Sequence, residues 1–104
     1  MARYRATTVY DGLWSVSIAT LRGDCSPGYR YPVRIVDGRV VQAYADADYR
    51  VSGAVGPGGS IGVTVSRAGQ TASGHGRLSR DSGGGWWRTA SGECSGQWTA
   101  ARRD

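Results

Sequence analysis

The sequence predicts an all-β domain, a small eight-stranded antiparallel up-and-down β-barrel closed by one disulfide. Three observations predict it. Apolar and polar residues alternate with a period of two from Leu13 to Ala101, whereas helical periodicity is hard to find. Turn signals separate the alternating segments at short intervals. Two cysteines, Cys25 and Cys94, stand where the first and last strands of a closed barrel would meet.

Length and composition limit the chain to one domain, residues 1–104. We expect residues 1–9 to form a loosely ordered N-terminal arm. Seventeen glycines accompany four tryptophans and six tyrosines. Such an aromatic content excludes a disordered tail, because disordered chains are poor in aromatic residues. No apolar run approaches the roughly 20 residues of a membrane span, so we predict a protein that does not span a membrane.

The first four strands are predicted over residues 13–21, 29–35, 39–44 and 49–55. Their expected inward faces carry Trp14, Val16, Ile18, Tyr29, Tyr31, Val33, Ile35, Tyr49, Val51, Gly53 and Val55. The pair Asp37-Gly38 predicts a two-residue hairpin turn, because both residues tolerate positive φ. The only place for a helix is residues 44–49, with room for one turn.

The last four strands are predicted over residues 61–66, 71–78, 86–89 and 94–101, with Trp87, Trp98 and Ala100 facing inward. Gly56–Gly59 and Gly83–Gly85 lack the lysine and following helix of a phosphate-binding loop. We interpret both clusters as hairpin turns. Short links favour strands that are neighbours in space, and closing the barrel removes two exposed edges.

The cysteines support closure independently. In a closed meander the first strand lies antiparallel to the last, so the loop holding Cys25 meets the start of the strand that begins at Cys94. A disulfide there would fasten a loop of about 70 residues, which the chain-entropy model values at roughly 4 kcal/mol. The alternative is two buried free thiols. A metal site is disfavoured, because no second His or Cys completes a ligand set.

The segment Asp11-Gly12-Leu13-Trp14 resembles the Gly-x-Trp opening of lipocalins and other calycins. That resemblance implies a tryptophan at one barrel end, covered by an arginine that follows the last strand. Arg102 and Arg103 stand at this position. The chain is shorter than a lipocalin and lacks its C-terminal helix, so the resemblance is architectural.

A second resemblance covers nearly the whole chain and rests on residues 10–16, 23–25, 29–33 and 94–98. These blocks are similar to small uncharacterised exported proteins of GC-rich proteobacteria, in which they follow a cleaved signal peptide. The resemblance implies a periplasmic or secreted protein. This sequence has no apolar stretch at its start, so we expect a mature form with Met1 added. No catalytic residue follows from the resemblance.

The net charge of +5 does not by itself predict a nucleic-acid partner. All thirteen basic residues are arginine, and Lys, Asn and Phe are absent together, as a GC-rich genome would produce. The arginines are scattered from Arg3 to Arg103, whereas a phosphate-binding surface clusters them. We therefore predict a solvated basic surface and no nucleic-acid partner.

No residue set predicts catalysis, a metal or a cofactor. His75 is the only histidine and lacks a recognisable partner for general-base chemistry. Asp46 and Asp48 alternate in a loop but offer too few ligands for calcium. Glu93 is the only glutamate, so a pair of glycosidase carboxylates would need a distant aspartate.

The strongest functional signal is aromatic. Trp86 and Trp87 are adjacent on one strand, so one faces in and one faces out, and Arg88 places Trp86 on the outside. Exposed Trp and Arg are enriched at binding hot spots. The proposed surface therefore comprises Trp86, Arg88 and, on the neighbouring strand, Arg77. The alternative is that Trp86 is an amphipathic surface residue that covers the sheet without binding a partner.

Four function classes remain. An enzyme of unfamiliar type and a structural or envelope-associated protein have little support in the sequence, which leaves two classes to compare. The first is a non-enzymatic, monomeric exported binding module that contacts a macromolecular partner such as an envelope or host protein. The alternative is a carrier of a small apolar ligand inside the barrel. The barrel interior separates them, since eight strands are either just filled by side chains or enclose one small ligand. We expect the inward aromatic and branched residues to fill it, which favours the first function.

Overall fold

The structure, a computed structural model, describes residues 8–44 and 48–103 and confirms the predicted closed antiparallel barrel. Its strands follow the chain order around the barrel, and β1 pairs with both β2 and β8. The strands are β1 (Gly12–Arg22), β2 (Gly28–Val36), β3 (Arg39–Gln42), β4 (Arg50–Val55), β5 (Ser60–Arg67), β6 (Gln70–Leu78), β7 (Ser82–Thr89) and β8 (Ser95–Arg102).

The up-and-down order places the connections between strands alternately at two ends of the barrel. One, here called the terminal end, carries residues 8–11, residue 103 and the β2–β3, β4–β5 and β6–β7 connections. The other, the loop end, carries the β1–β2, β3–β4, β5–β6 and β7–β8 connections. The predicted turn at Asp37-Gly38 is confirmed, with φ of 52° and 79°, and Ala68-Gly69 repeats it with 52° and 81°.

One predicted turn is wrong. Gly83–Gly85 belong to β7, where they pair with Leu78, Arg77 and Gly76 of β6. A Cβ at position 85 would lie 1.9 Å from the carbonyl oxygen of His75. Glycine is therefore needed here for the close approach of two strands.

Other differences concern element ends. The cluster Gly56–Gly59 is a turn, as predicted, and contains a short 3-10 turn over Pro57–Gly59. Strand β3 ends at Gln42, two residues before the predicted end. The expected place for a helical turn falls partly on residues 45–47, outside the described residues, as do residues 1–7 of the predicted arm.

The predicted disulfide between Cys25 and Cys94 is confirmed, with Cα atoms 6.2 Å apart, and the described residues hold no free cysteine. It fastens the loop after β1 to the start of β8, beside the pairing of Arg22 with Ser95. Disulfides persist in oxidising environments, and the bond is consistent with such a compartment.

The predicted inward faces are confirmed by the buried core. It gathers residues from seven strands, all but β7: Trp14, Val16, Val33, Ile35, Val40, Val51, Ile61, Leu78, Trp98 and Ala100. Burial of these side chains supplies the main stabilisation of the fold.

Candidate functional site

The barrel encloses a cavity of about 460 Å³, so the expectation of a side-chain-filled interior is wrong. At the terminal end the cavity reaches Trp14, Ile35 and Leu78, and at the loop end it reaches Ser26 and Thr71. The terminal-end residues are buried, whereas Ser26 and Thr71 are exposed, so the cavity opens at the loop end.

The interior is hollow because the large rings lie along the wall. The indole Nε1 of Trp98 donates to the carbonyl of His75 on β6 at 3.2 Å, and that of Trp87 donates to the carbonyl of Ala19 on β1 at 3.1 Å. The inward positions of β5 and β6 towards the loop end are small: Val63, Val65, Ala72 and Gly74. Aromatic bulk counted from the sequence therefore overestimates how much of the lumen is occupied.

Trp14 and Arg102 close the terminal end. Trp14 is 1% exposed, its Nε1 donates to the carbonyl of Tyr10, and the Arg102 guanidinium lies 4.9 Å from its ring centroid. Arg102 also donates to the carbonyls of Val9, Asp11 and Arg80. An arginine that covers the tryptophan was expected at position 102 or 103, and Arg102 occupies that place.

Asp11 ties the segment before β1 to the β2–β3 turn. Its carboxylate accepts hydrogen bonds from the backbone N–H groups of Asp37, at 2.7 Å, and Gly38, at 3.1 Å, and from the Thr8 hydroxyl at 2.6 Å. Burial alone would raise the pKa of Asp11, but these hydrogen bonds outweigh it and lower the pKa below the usual 3.8. The terminal end is thus fastened by polar contacts as well as by packing.

The loop end carries the polar part of the cavity lining: Thr20, Ser26, Arg67, Gln70, Thr71 and Thr89. Arg67 is the charged residue of this lining. Its guanidinium lies 5.9 Å from the ring centroid of Tyr29 and 3.6 Å from a carboxylate oxygen of Asp48. Sequence reasoning missed Arg67, although the alternation of Ile61, Val63 and Val65 points it inward.

Three tyrosines form a cluster, of which Tyr29 lies beside Arg67. The Tyr31 ring centroid lies 5.7 Å from that of Tyr29 and 5.1 Å from that of Tyr49, whose hydroxyl donates to the carbonyl of Pro32. Burial, and then the neighbouring Tyr29 and Tyr49, raise the pKa of Tyr31 above its usual value of 10.0. The cavity-lining phenol of Tyr31 therefore stays protonated and able to donate a hydrogen bond.

The outer surface predicted around Trp86 has a different composition from the one expected. Trp86 is 62% exposed, and its neighbour across the β6–β7 pair is His75, while Arg88 pairs with Ser73. Arg77 lies on the same face, but its guanidinium donates to the carbonyl of Gly58 at 3.1 Å, on the β5 side. His75 and Leu21, 63% exposed, instead line a shallow cleft with Trp86 and Arg88.

The remaining polar candidates stay apart. Asp48 faces Arg67, Glu93 is exposed beside the disulfide, and Asp46 lies outside the described residues. Within residues 8–44 and 48–103 no three His, Cys, Asp or Glu side chains form a group that could hold a metal ion. The same residues contain no helix with the length and apolarity needed to cross a membrane.

Comparisons with protein-family models, with curated proteins and with solved structures found no match for this chain.

Proposed function

We propose that this protein binds a small apolar ligand inside its barrel, as a non-enzymatic, exported and monomeric carrier. The observation that carries the proposal is the cavity of about 460 Å³. Ligand sites in proteins typically have volumes of roughly 300–1,000 Å³ and are lined mainly by apolar side chains with a few polar groups. The disulfide supports export to the periplasm or the medium.

The lining matches an apolar ligand. Away from the loop end it consists mainly of Trp, branched aliphatic, Ala and Gly residues, with Tyr31 and Ser73 as the polar additions. Most backbone polar groups of the wall pair within the barrel ladder, so the wall offers few hydrogen-bonding groups to a ligand. Burial of a ligand's apolar surface is then the main driving force, at roughly 25 cal/mol per Å² removed from water.

The test fills the lumen from one strand. Val63 of β5 lines the cavity, whereas the next residue, Thr64, is exposed on the outside. Val63→Trp is expected to weaken binding of the fluorescent apolar probe N-phenylnaphthylamine at least about tenfold, because the new indole occupies the ligand's volume. Thr64→Trp adds the same ring outside and is expected to leave the affinity unchanged. Equal affinity of the two variants, or no binding by the wild type, would contradict the proposal.

A second proposal concerns the outer surface, as a contact site for an envelope or host protein. It is supported by the exposure of Trp86 and Leu21 in one shallow cleft, beside Arg88. Exposed aromatic and arginine side chains are the types enriched at binding hot spots.

Paired substitutions of the two tryptophans test this surface. Trp86→Ser is expected to change the free energy of unfolding by less than about 1 kcal/mol, yet to abolish binding of a partner first identified with the wild type and then purified. Trp87→Ser is expected to destabilise the fold strongly, since it removes an indole bonded to the carbonyls of Ala19 and Gln97. If Trp86→Ser retains full affinity for the purified partner, the surface is not the contact site.

A further inference from the structure

We propose that the ligand is an amphiphile whose carboxylate is held by Arg67 at the loop end, with its apolar part in the barrel. This inference rests on the proposed function and names the chemistry of the ligand.

The first support is the distribution of polarity along the cavity. The inward positions of β1 run from Trp14 through Val16 and Ile18 to Thr20, and those of β5 run from Ile61 through valines to Arg67. Both strands thus change from apolar to polar in the same direction. A ligand that matches this lining is apolar at one end and polar at the other.

The second support is the contrast between Arg102 at the terminal end of the barrel and Arg67 at the loop end. Arg102 covers Trp14 and donates to three backbone carbonyls, so its guanidinium stabilises the fold. Among the described residues Arg67 has only the Tyr29 ring and a 3.6 Å approach to Asp48. Its planar set of donors therefore remains available for a carboxylate, which it can bind in a bidentate manner.

The third support is the carboxylate that the protein itself places there. Asp48 lies 3.6 Å from Arg67, with side chains 75% and 54% exposed. Such exposed ion pairs contribute little stability, so a ligand can displace Asp48 readily. A ligand carboxylate held at the edge of an apolar cavity is less exposed to water, and its attraction to the guanidinium is correspondingly stronger.

The tyrosines complete the anion site. The ring centroid of Tyr29 lies 5.9 Å from Cζ of Arg67 and 5.7 Å from the ring centroid of Tyr31. The Tyr31 phenol lines the cavity and, among the described residues, donates no hydrogen bond to the protein. It supplies a second hydrogen-bond donor to the cavity lining.

The experiment compares decanoate with decanol, which has the same chain and no charge, by titration calorimetry below their micelle-forming concentrations. The wild type is expected to bind decanoate roughly ten- to a hundredfold more tightly, the range of a charge-assisted hydrogen bond. Arg67→Gln is expected to remove this preference and leave the decanol affinity unchanged. Asp48→Asn, which removes the competing carboxylate, is expected to tighten decanoate binding severalfold and leave decanol unchanged.

Arg34→Gln is the matched control, because Arg34 is exposed on the outside of β2 and its loss changes the net charge equally. It is expected to leave both affinities as in the wild type. If the wild type binds both compounds equally, or if Arg67→Gln and Arg34→Gln have the same effect, the carboxylate site is overturned while ligand binding stands. If neither compound binds the wild type and N-phenylnaphthylamine does not bind either, the proposed function itself fails.

Discussion

Reduction of the Cys25–Cys94 disulfide is expected to lower the free energy of unfolding by about 4 kcal/mol. The bond closes a loop with a sequence separation of 69 residues, and without it the unfolded chain gains conformational freedom. For a small domain with a total stability of about 5–15 kcal/mol this is a large share. Thermal unfolding followed by circular dichroism, with and without reductant, should show a fall in Tm of roughly 15 °C or more.

The control is the double variant Cys25→Ala with Cys94→Ala. It is expected to unfold near the temperature of the reduced wild type and to be insensitive to reductant. Two titratable thiols in the folded, oxidised wild type would contradict the disulfide, and with it the support for an exported protein.

Truncation of Trp98 to alanine is expected to lower the free energy of unfolding by about 3 kcal/mol, at the lower end of the range for large aromatic residues. Trp98 is 8% exposed and lies over glycines of β6, since a Cβ at Gly76 would be 2.7 Å from its ring. One face of the indole already borders the cavity, so less packing is lost than in a solid core. Urea unfolding measures the change through the shift in midpoint.

Trp98→Phe separates packing from hydrogen bonding. It keeps most of the ring volume and loses the hydrogen bond from Nε1 to the carbonyl of His75. The free energy of unfolding is therefore expected to fall by about 1 kcal/mol. A loss below roughly 1 kcal/mol for Trp98→Ala would contradict the inward orientation of this residue.

The fold could be predicted from the sequence because its signals are local and agree with one another. Period-two alternation orients each side chain, and Asp37-Gly38 specifies its turn. The position of Cys25 and Cys94 specifies which strands meet. Gly83–Gly85 were misassigned because glycine marks both turns and close strand approach, and only the pairing with β6 distinguishes them.

The candidate site could be predicted only in part. Trp86 faces outward as alternation requires. The direction of the Arg77 guanidinium, however, depends on its hydrogen bond to the carbonyl of Gly58, a residue of the β4–β5 connection. The cavity could not be predicted, because side-chain volume does not determine whether the rings of Trp87 and Trp98 cross the lumen or lie along its wall. Their bonds to carbonyls of neighbouring strands decide that.

Among the described residues, the ladder between β3 and β4 is the shortest in the barrel wall, with Arg39 paired to Ala54 and Val40 to Gly53. The β1–β8 ladder, in contrast, runs nearly the whole length of both strands and is fastened by the disulfide. Proteins open locally where few backbone pairs must break, at a free energy below that of global unfolding. Transient parting of β3 from β4 would widen the barrel on one side while the opposite seam keeps its circumference joined. Under the proposed function, this local opening would widen the path for a ligand beyond the mouth at the loop end, without unfolding of the domain.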